Sequence, residues 1–298
     1  MNVNRFAALV RRELWEYRWF MRFPLILSGL FVLFGLIALP LVAFFSGPLH
    51  IQVNGLSTHP SGAVLFLALG IVFGLILLCR ISSYFLHALH DERMDRSYVF
   101  WKSIPVSDTA TVGSKVFTGL FIMPATTWLV AVVTGCILLF FLSLITSLLG
   151  HDFWGSFWTP GPLVSANLYL AALFFTLPLW FLPVLGWFLF CSAWSNPRKR
   201  KRPLLVAIAV PVVLLLLEPI FFGTHVLASW LTRLLIPIRL LFDTQNTQTI
   251  HWAGSVMTAR WLDWAHLFTM PEFWWGSLAG LLFVALAVYS RHHGESHR

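Results

Sequence analysis

Six long apolar stretches without a central charge dominate this chain, and they lie at residues 24–46, 62–79, 116–149, 163–194, 203–222 and 273–290. A helix needs about 20 apolar residues to cross a bilayer, and one charge at its centre costs roughly 2.5–3.5 kcal/mol. Each stretch therefore predicts one membrane-spanning helix. The third and fourth are long enough that we expect tilt, or a helix that projects from the bilayer. The expected fold is all-α, a polytopic membrane protein with about six transmembrane helices.

The composition excludes a water-soluble globular domain. Hydrophobic residues make up 58% of the chain, charged residues only 11%, and the mean hydropathy is +0.79. A soluble fold cannot cover so much apolar surface. The net charge of +8 does not indicate a nucleic-acid partner, because the basic residues form short blocks between apolar runs. The cysteines, at positions 79, 136 and 191, lie in apolar stretches and are expected to be free thiols.

The basic residues predict the orientation of the chain. If the amino terminus is cytoplasmic, 17 lysines and arginines fall on the cytoplasmic side: 5, 11, 12, 18, 22, 80, 93, 96, 102, 115, 198–202, 291 and 298. Only Arg233, Arg239 and Arg260 then fall outside. Short cytoplasmic loops carry such an excess of positive charge. Both termini are therefore predicted to be cytoplasmic.

We expect residues 1–298 to form a single transmembrane domain with two additional regions. Residues 1–23 predict a basic amphipathic helix on the inner interface, with an apolar stripe of Phe6, Val10, Leu14, Tyr17 and Met21. Residues 223–271 predict an external region that lies on, or dips into, the outer interface.

Residues 91–109, between the second and third spans, form the most informative segment. A charged start, in which Glu92 and Arg96 sit one helical turn apart, precedes the aromatic residues Tyr98 and Trp101. Pro105 then interrupts the helix, and Ser107 or Asp108 is placed to cap the next one. Aromatic and charged side chains together are typical of a protein interface.

The same segment resembles the first cytoplasmic loop of type 2 ABC transporter permeases. The likeness lies in Asp91-Glu92-Arg93, in Lys102-Ser103-Ile104-Pro105-Val106-Ser107 and in Gly113-Ser114-Lys115. The amphipathic amino-terminal helix, the six spans and the external element before the last span follow the order found in that family. The chain departs from the family where many members have Gly-Thr after the acidic start, since it carries Asp95 and Arg96.

The resemblance implies a permease subunit of an ATP-driven exporter in a bacterial plasma membrane. Such a subunit pairs with a second copy or a paralogue and moves an amphipathic or hydrophobic cargo outward. A separate ABC ATPase subunit binds ATP and Mg, so this chain is expected to be no enzyme and to hold no cofactor, no metal and no catalytic residue. The implied ATPase-coupling residues are Glu92, Arg93, Asp95, Arg96, Tyr98, Trp101, Lys102, Pro105, Ser107 and Asp108.

The distribution of acidic residues favours an external source of energy. Transport driven by ion gradients usually needs carboxylates or histidines inside the membrane. The acidic residue within the six apolar stretches is Glu218, which falls near the outer end of its helix. We predict an external gate there, in which Glu218 pairs with Arg233 or Arg239. A phosphate-binding loop motif is absent from the sequence.

Two other classes of function stay open at this stage. His87, His90, Asp91 and Glu92 suggest a metal-dependent membrane enzyme, although one His-x-x-His pair supplies only two ligands. The chain is alternatively a non-catalytic membrane anchor for a cytoplasmic complex.

Overall fold

The computed structural model describes residues 3–46, 51–53, 56–58, 62–94, 107–148, 154–195, 202–223, 225–234 and 267–293. These residues are almost entirely helical. The helices are α1 (Val3–Glu16), α2 (Arg18–Ser46), α3 (Gly62–His87), α4 (His90–Met94), α5 (Asp108–Phe117), α6 (Met123–Leu148), α7 (Trp154–Phe157), α8 (Pro160–Trp180), α9 (Leu182–Trp194), α10 (Arg202–Phe222), α11 (Val226–Leu234) and α12 (Pro271–His293). Two short antiparallel strands, β1 (Ile51–Val53) and β2 (Leu56–Thr58), pair between α2 and α3.

Among the described residues, six helical segments are long and apolar enough to cross a membrane, which confirms the predicted number. They are 21–38, 65–94, 108–148, 160–180, 203–221 and 271–291. Their length and composition are compatible with a multi-pass membrane protein. The β1–β2 hairpin is a small addition to the predicted all-α fold.

The third segment is one continuous helix from Asp108 to Leu148. A single π-helical turn, Thr118–Ile122, joins α5 to α6 without a break. At 1.5 Å per residue its 41 residues extend about 60 Å, which is longer than a bilayer core. The prediction of a projecting helix is therefore consistent with this segment, and its α5 part carries the polar residues described below.

The fourth apolar stretch is divided instead of simply tilted. Helix α8 ends at Trp180, and α9 begins at Leu182 after Phe181 leaves helical geometry with φ −82° and ψ 6°. Pro183 lies in the first turn of α9, where its missing N–H group costs no hydrogen bond. After this break, α9 packs closely against α12.

Helix α3 lies at the centre of the bundle and contacts α6, α8 and α9. Its residues Phe73, Leu77 and Ile81 recur at the i, i+4 spacing and are fully buried. They pack in one core cluster with residues of α6 and α8, such as Leu139 and Leu173. Helix α10, by contrast, has an exposed apolar surface along most of its length.

Ser107 caps α5, as predicted for Ser107 or Asp108. Its backbone is extended, with φ −73° and ψ 146°, and its Oγ accepts a hydrogen bond from the Ala110 amide at 3.2 Å. Side-chain oxygens at this position satisfy an amide that has no partner within the helix.

We expect Ser107→Ala to lower the free energy of unfolding by about 1 kcal/mol, because the Ala110 amide loses its side-chain acceptor and is left with the Ser107 carbonyl oxygen, at 3.0 Å. Thr109→Ala is the matched control, since the Thr109 hydroxyl bonds only to that of Ser107. Unfolding in mixed detergent–SDS micelles measures both variants. Equal losses in the two would contradict the capping role.

Candidate functional site

Charged side chains from four separate helices meet in the interior at the end of the bundle where α1 lies, which we call the α1 end. We define the buried ion cluster as Arg12, Glu13, Glu92, Lys115 and Arg291. Arg12 and Glu13 belong to α1, Glu92 to α4, Lys115 to α5 and Arg291 to α12. Buried charges are stable only when they are paired and hydrogen-bonded, so the contacts between them decide whether the cluster holds together.

Lys115 is the centre of the cluster and is completely buried. Its Nζ lies 3.0 Å from both carboxylate oxygens of Glu13 and 3.1 Å from Oε1 of Glu92. The ammonium group thereby joins α1 to α4. It also lies over the ring of Tyr17, 5.5 Å from the ring centroid.

Arg12 and Arg291 bind Glu92 from opposite ends of the chain. Arg12 Nη2 donates to Glu92 Oε1 at 2.7 Å and also contacts Glu16 at 3.2 Å. Arg291 Nη1 donates to Glu92 Oε2 at 2.9 Å, and its Nε donates to Asp108 Oδ1 at 3.0 Å. Both oxygens of the 2% exposed Glu92 are thus bound by cations.

Two tyrosines close the cluster on the side of α3. The Tyr84 hydroxyl donates to Glu13 Oε2 at 3.0 Å, and the ring of Tyr84 packs edge-on against that of Tyr17. Burial raises the pKa of the Tyr17 phenol, so the group stays protonated and donates to the Ala88 carbonyl oxygen at 3.4 Å. The rings of Tyr17 and Tyr84 therefore cover one side of the cluster.

A second set of hydrogen bonds fixes α4 to the end of α9. The backbone amides of Leu89 and His90 both donate to Ser192 Oγ, at 3.1 and 2.9 Å. Ser195 Oγ bonds to His90 Nδ1 at 2.9 Å, and Arg93 donates to the Ala193 carbonyl oxygen. Helix α4 is consequently bound to the end of α9 by these hydrogen bonds and to the buried ion cluster by Glu92.

The arrangement has one mechanical consequence. Glu92 and Asp108 flank residues 95–106, and Arg291 binds both of them. A displacement of residues 95–106 would therefore act directly on Arg291 at the end of α12. Through Glu92 it would also act on Lys115 and Arg12.

The predicted coupling residues have different outcomes. Glu92, Arg93, Ser107 and Asp108 are described, and Glu92 lies inside the protein. Its pairing is with Arg12, Lys115 and Arg291. The remaining members, Asp95, Arg96, Tyr98, Trp101, Lys102 and Pro105, lie outside the described residues, as does the predicted Glu92–Arg96 pair.

Among the described residues, neither His87 nor His90 belongs to a group of three or more possible metal ligands. His87 Nδ1 bonds to its own helix at the Ser83 carbonyl oxygen, at 2.8 Å, while His90 Nδ1 bonds to Ser195. The group whose possible ligand atoms lie within 4.8 Å of one another consists of Glu13, Glu16 and Glu92. Two of these carboxylates already bind Lys115, so a cation of the protein takes the place that a metal ion would need.

At the opposite end of the bundle, Arg233 forms an ion pair with a residue that the sequence interpretation missed. Its Nη1 lies 2.6 Å from Glu272 Oε1, at the first turn of α12, and this pair joins α11 to α12. The predicted gate named Glu218 and Arg239 as well. Arg239 lies outside the described residues. Since the Arg233 side chain is 57% exposed, the pair contributes only about 0–1 kcal/mol.

Sequence reasoning also missed the roles of Glu13, Lys115 and Arg291. One signal for Glu13 was present, because Leu9, Glu13 and Tyr17 share an i, i+4 line and are the buried residues of the amino-terminal segment. In the predicted stripe, Tyr17 is buried, whereas Phe6, Val10, Leu14 and Met21 are half-buried. Helix α1 packs against α5, and both Glu13 and Phe6 take part, through Lys115 and Phe117 respectively.

Comparison with known proteins identifies no relative. No protein-family model, no curated protein and no solved structure matches this chain. The function therefore has to be inferred from the chain's own residues and geometry.

Proposed function

We propose that this chain is the membrane-spanning permease subunit of an ATP-driven exporter of the type 2 ABC kind. It works as a dimer with a second copy or a paralogue, and a separate ATPase subunit binds ATP and Mg. The termini and residues 95–106 lie on the cytoplasmic side of a bacterial plasma membrane. The cargo is an amphipathic or hydrophobic molecule that moves outward.

The observation that carries this proposal is the buried ion cluster at the α1 end. Arg291 binds Glu92 and Asp108, which lie near the two ends of residues 91–109, the segment that resembles the ATPase-contacting loop. A partner that pushes on residues 95–106 would move α12, α5 and α1 together, because the cluster joins them by direct contacts between charges. A solvated loop would need no such buried anchor.

Two features support a pair of subunits and an external source of energy. Helix α10 is long and apolar, yet almost none of its residues is buried within the chain, so its surface is available to lipid or to a second subunit. The sequence has no phosphate-binding loop motif, which is the expected pattern if ATP is hydrolysed by another chain.

Purification of the chain with its natural companions tests the class of function. We expect an ATPase to co-purify and to contact residues 95–106. A companion complex without ATPase activity would refute the proposal and favour a membrane anchor. Stoichiometric zinc or iron in the purified chain would favour the metal-dependent enzyme instead.

The double variant Tyr98→Ala/Trp101→Ala is expected to uncouple ATP hydrolysis on the cytoplasmic side from structural changes at the opposite end of the bundle. A single cysteine at Ser229, an exposed position of α11, reports the state of the opposite end through its rate of maleimide labelling. In the parent complex this rate should change when ATP is added. The double variant should abolish that change while ATP hydrolysis continues.

A matched control for this experiment is Trp15→Ala, which removes an aromatic residue that is 78% exposed on α1. It should leave the ATP-dependent change in labelling intact. If Tyr98→Ala/Trp101→Ala labels like the parent with ATP and without it, residues 95–106 do not couple the ATPase to the permease.

A further inference from the structure

We propose that the cavity between α2 and α3 at the α1 end binds one anionic phospholipid from the adjacent leaflet. The inference requires only that the chain is embedded in a membrane, and it does not depend on the proposed transport function. The cavity has a volume of about 380 Å³ and is lined by Trp19, Phe23, Ile76, Cys79, Arg80 and Ser83.

The wall of this cavity combines an apolar surface with one permanent positive charge. Trp19, Phe23 and Ile76 provide the apolar part, and Trp19 and Phe23 are 70% and 46% exposed. Arg80 is only 5% exposed, although its side chain reaches the cavity. A charge held this far from water is costly, so its position in a membrane-spanning helix indicates a functional site.

Thr127 of α6 fixes the orientation of the guanidinium group. Thr127 Oγ1 donates to the Met123 carbonyl oxygen at 2.7 Å, which leaves a lone pair of the hydroxyl to accept from Arg80 Nη1, also at 2.7 Å. A guanidinium offers five N–H donors in a planar arrangement. One end of Arg80 is thus held by a neutral residue, and the group lies beside a space that admits a ligand.

The depth of Arg80 matches that of a lipid headgroup. It lies 18 residues after Gly62, or about 27 Å along α3, and a hydrocarbon core is about 30 Å thick. Arg80 therefore lies near the edge of the hydrocarbon core at the α1 end. If that end is cytoplasmic, as the charge distribution predicts, the lipid comes from the inner leaflet, which is where basic pockets between helices recruit anionic lipids.

Charge and shape together select the class of ligand. A phosphate oxygen accepts charge-assisted hydrogen bonds from a guanidinium, and an acyl chain fits along Trp19, Phe23 and Ile76. A soluble anion would gain nothing from the apolar wall. A zwitterionic lipid carries a second, positive charge that Arg80 would repel.

Native mass spectrometry of the full-length chain in detergent tests the site. The probes are dioleoyl phosphatidylglycerol and dioleoyl phosphatidylcholine, which have the same acyl chains and differ in net charge. We expect the parent chain to retain the anionic lipid about tenfold more often than the zwitterionic one. Arg80→Gln should bring this ratio close to one.

Three further variants separate this site from general attraction between charges. Arg22→Gln removes an exposed arginine of α2 that does not line the cavity, and it should preserve the preference. Thr127→Val removes the hydrogen bond that orients Arg80 but keeps the charge, so the preference should weaken and stay above one. Ile76→Trp fills the cavity, and it should remove the tightly held lipid even though Arg80 is present.

The proposal is overturned if Arg80→Gln keeps the tenfold preference, or if Arg22→Gln loses as much of it. Should Arg80→Gln fail to fold, Ile76→Trp decides the question, because retention of the anionic lipid in that variant would show that it binds elsewhere.

Discussion

Replacing Lys115 by methionine should cause the largest loss of stability among the single changes considered for this chain. Methionine keeps most of the volume of the lysine stem but leaves Glu13 without its cation. Glu13 is 1% exposed and would retain only the Tyr84 hydroxyl among the hydrogen bonds described for its side chain. Removing one partner of a buried ion pair typically costs about 3–5 kcal/mol, so little folded protein should remain.

The double variant Lys115→Met/Glu13→Gln tests whether the charge causes this loss. With the carboxylate replaced by a neutral amide, no uncompensated charge is left between α1 and α5, while Glu92 keeps Arg12 and Arg291. We expect the double variant to be more stable than Lys115→Met alone by about 1–3 kcal/mol, the range of coupling between residues in contact. Unfolding in mixed detergent–SDS micelles is measured for four proteins: the parent, Lys115→Met, Glu13→Gln and the double variant.

Glu16→Gln is the control for the cluster. Glu16 also contacts Arg12, but its side chain is 34% exposed and water can replace the lost ion pair. The change should cost about 0–1 kcal/mol. A Lys115→Met variant as stable as Glu16→Gln would mean that the buried charges do not hold the α1 end together.

Replacing Gly186 by alanine is the second large effect that we expect. Helices α9 and α12 approach so closely that a Cβ atom at Gly186 would lie 2.5 Å from the Gly280 carbonyl oxygen and 3.1 Å from its Cα. Both are backbone atoms, and they can move only if the two helices separate. Overpacking of this kind costs about 1–3 kcal/mol, and the corresponding change at Gly280 meets the Leu182 carbonyl oxygen at 2.7 Å.

The control is Gly276→Ala, which lies on α12 one helical turn before Gly280. Its Cβ would meet the Pro183 ring at 3.5 Å, an ordinary contact that requires no movement. Because alanine also restricts the unfolded chain, Gly276→Ala should be neutral or stabilise the protein by up to about 1 kcal/mol. A Gly186→Ala variant that unfolds like Gly276→Ala would show that α9 and α12 can separate at no cost.

These two predictions concern features that the sequence alone did not reveal. The glycines of the α9–α12 crossing are 94 positions apart, and nothing near either of them indicates the other. The break at Phe181 between α8 and α9 was likewise missed, because residues 163–194 contain no charged residue. A hydropathy pattern records where a segment is apolar, but it does not record where one helix ends and the next begins.

Local features, in contrast, were predicted well from the sequence. Hydropathy along the chain gave the number and approximate positions of the six spans, because lipid solvates each segment separately. Ser107 was recognised as a cap, since its hydroxyl acts on an amide only three residues away. Each of these outcomes depends on neighbours within one helical turn or on the solvent around a single helix.

The pairing of charges was decided by the tertiary structure alone. The sequence predicted a partner for Glu92 one turn away, Arg96, which lies outside the described residues. The structure shows that Glu92 binds Arg12, which is 80 positions away, and Arg291, which is 199 positions away. Lys115 and Glu13 are separated by 102 positions. The sequence determined that this chain is a bundle of apolar helices with basic ends. Which of those end charges meet depends on how the helices pack, because an ion pair needs contact in space and leaves no trace in the local pattern.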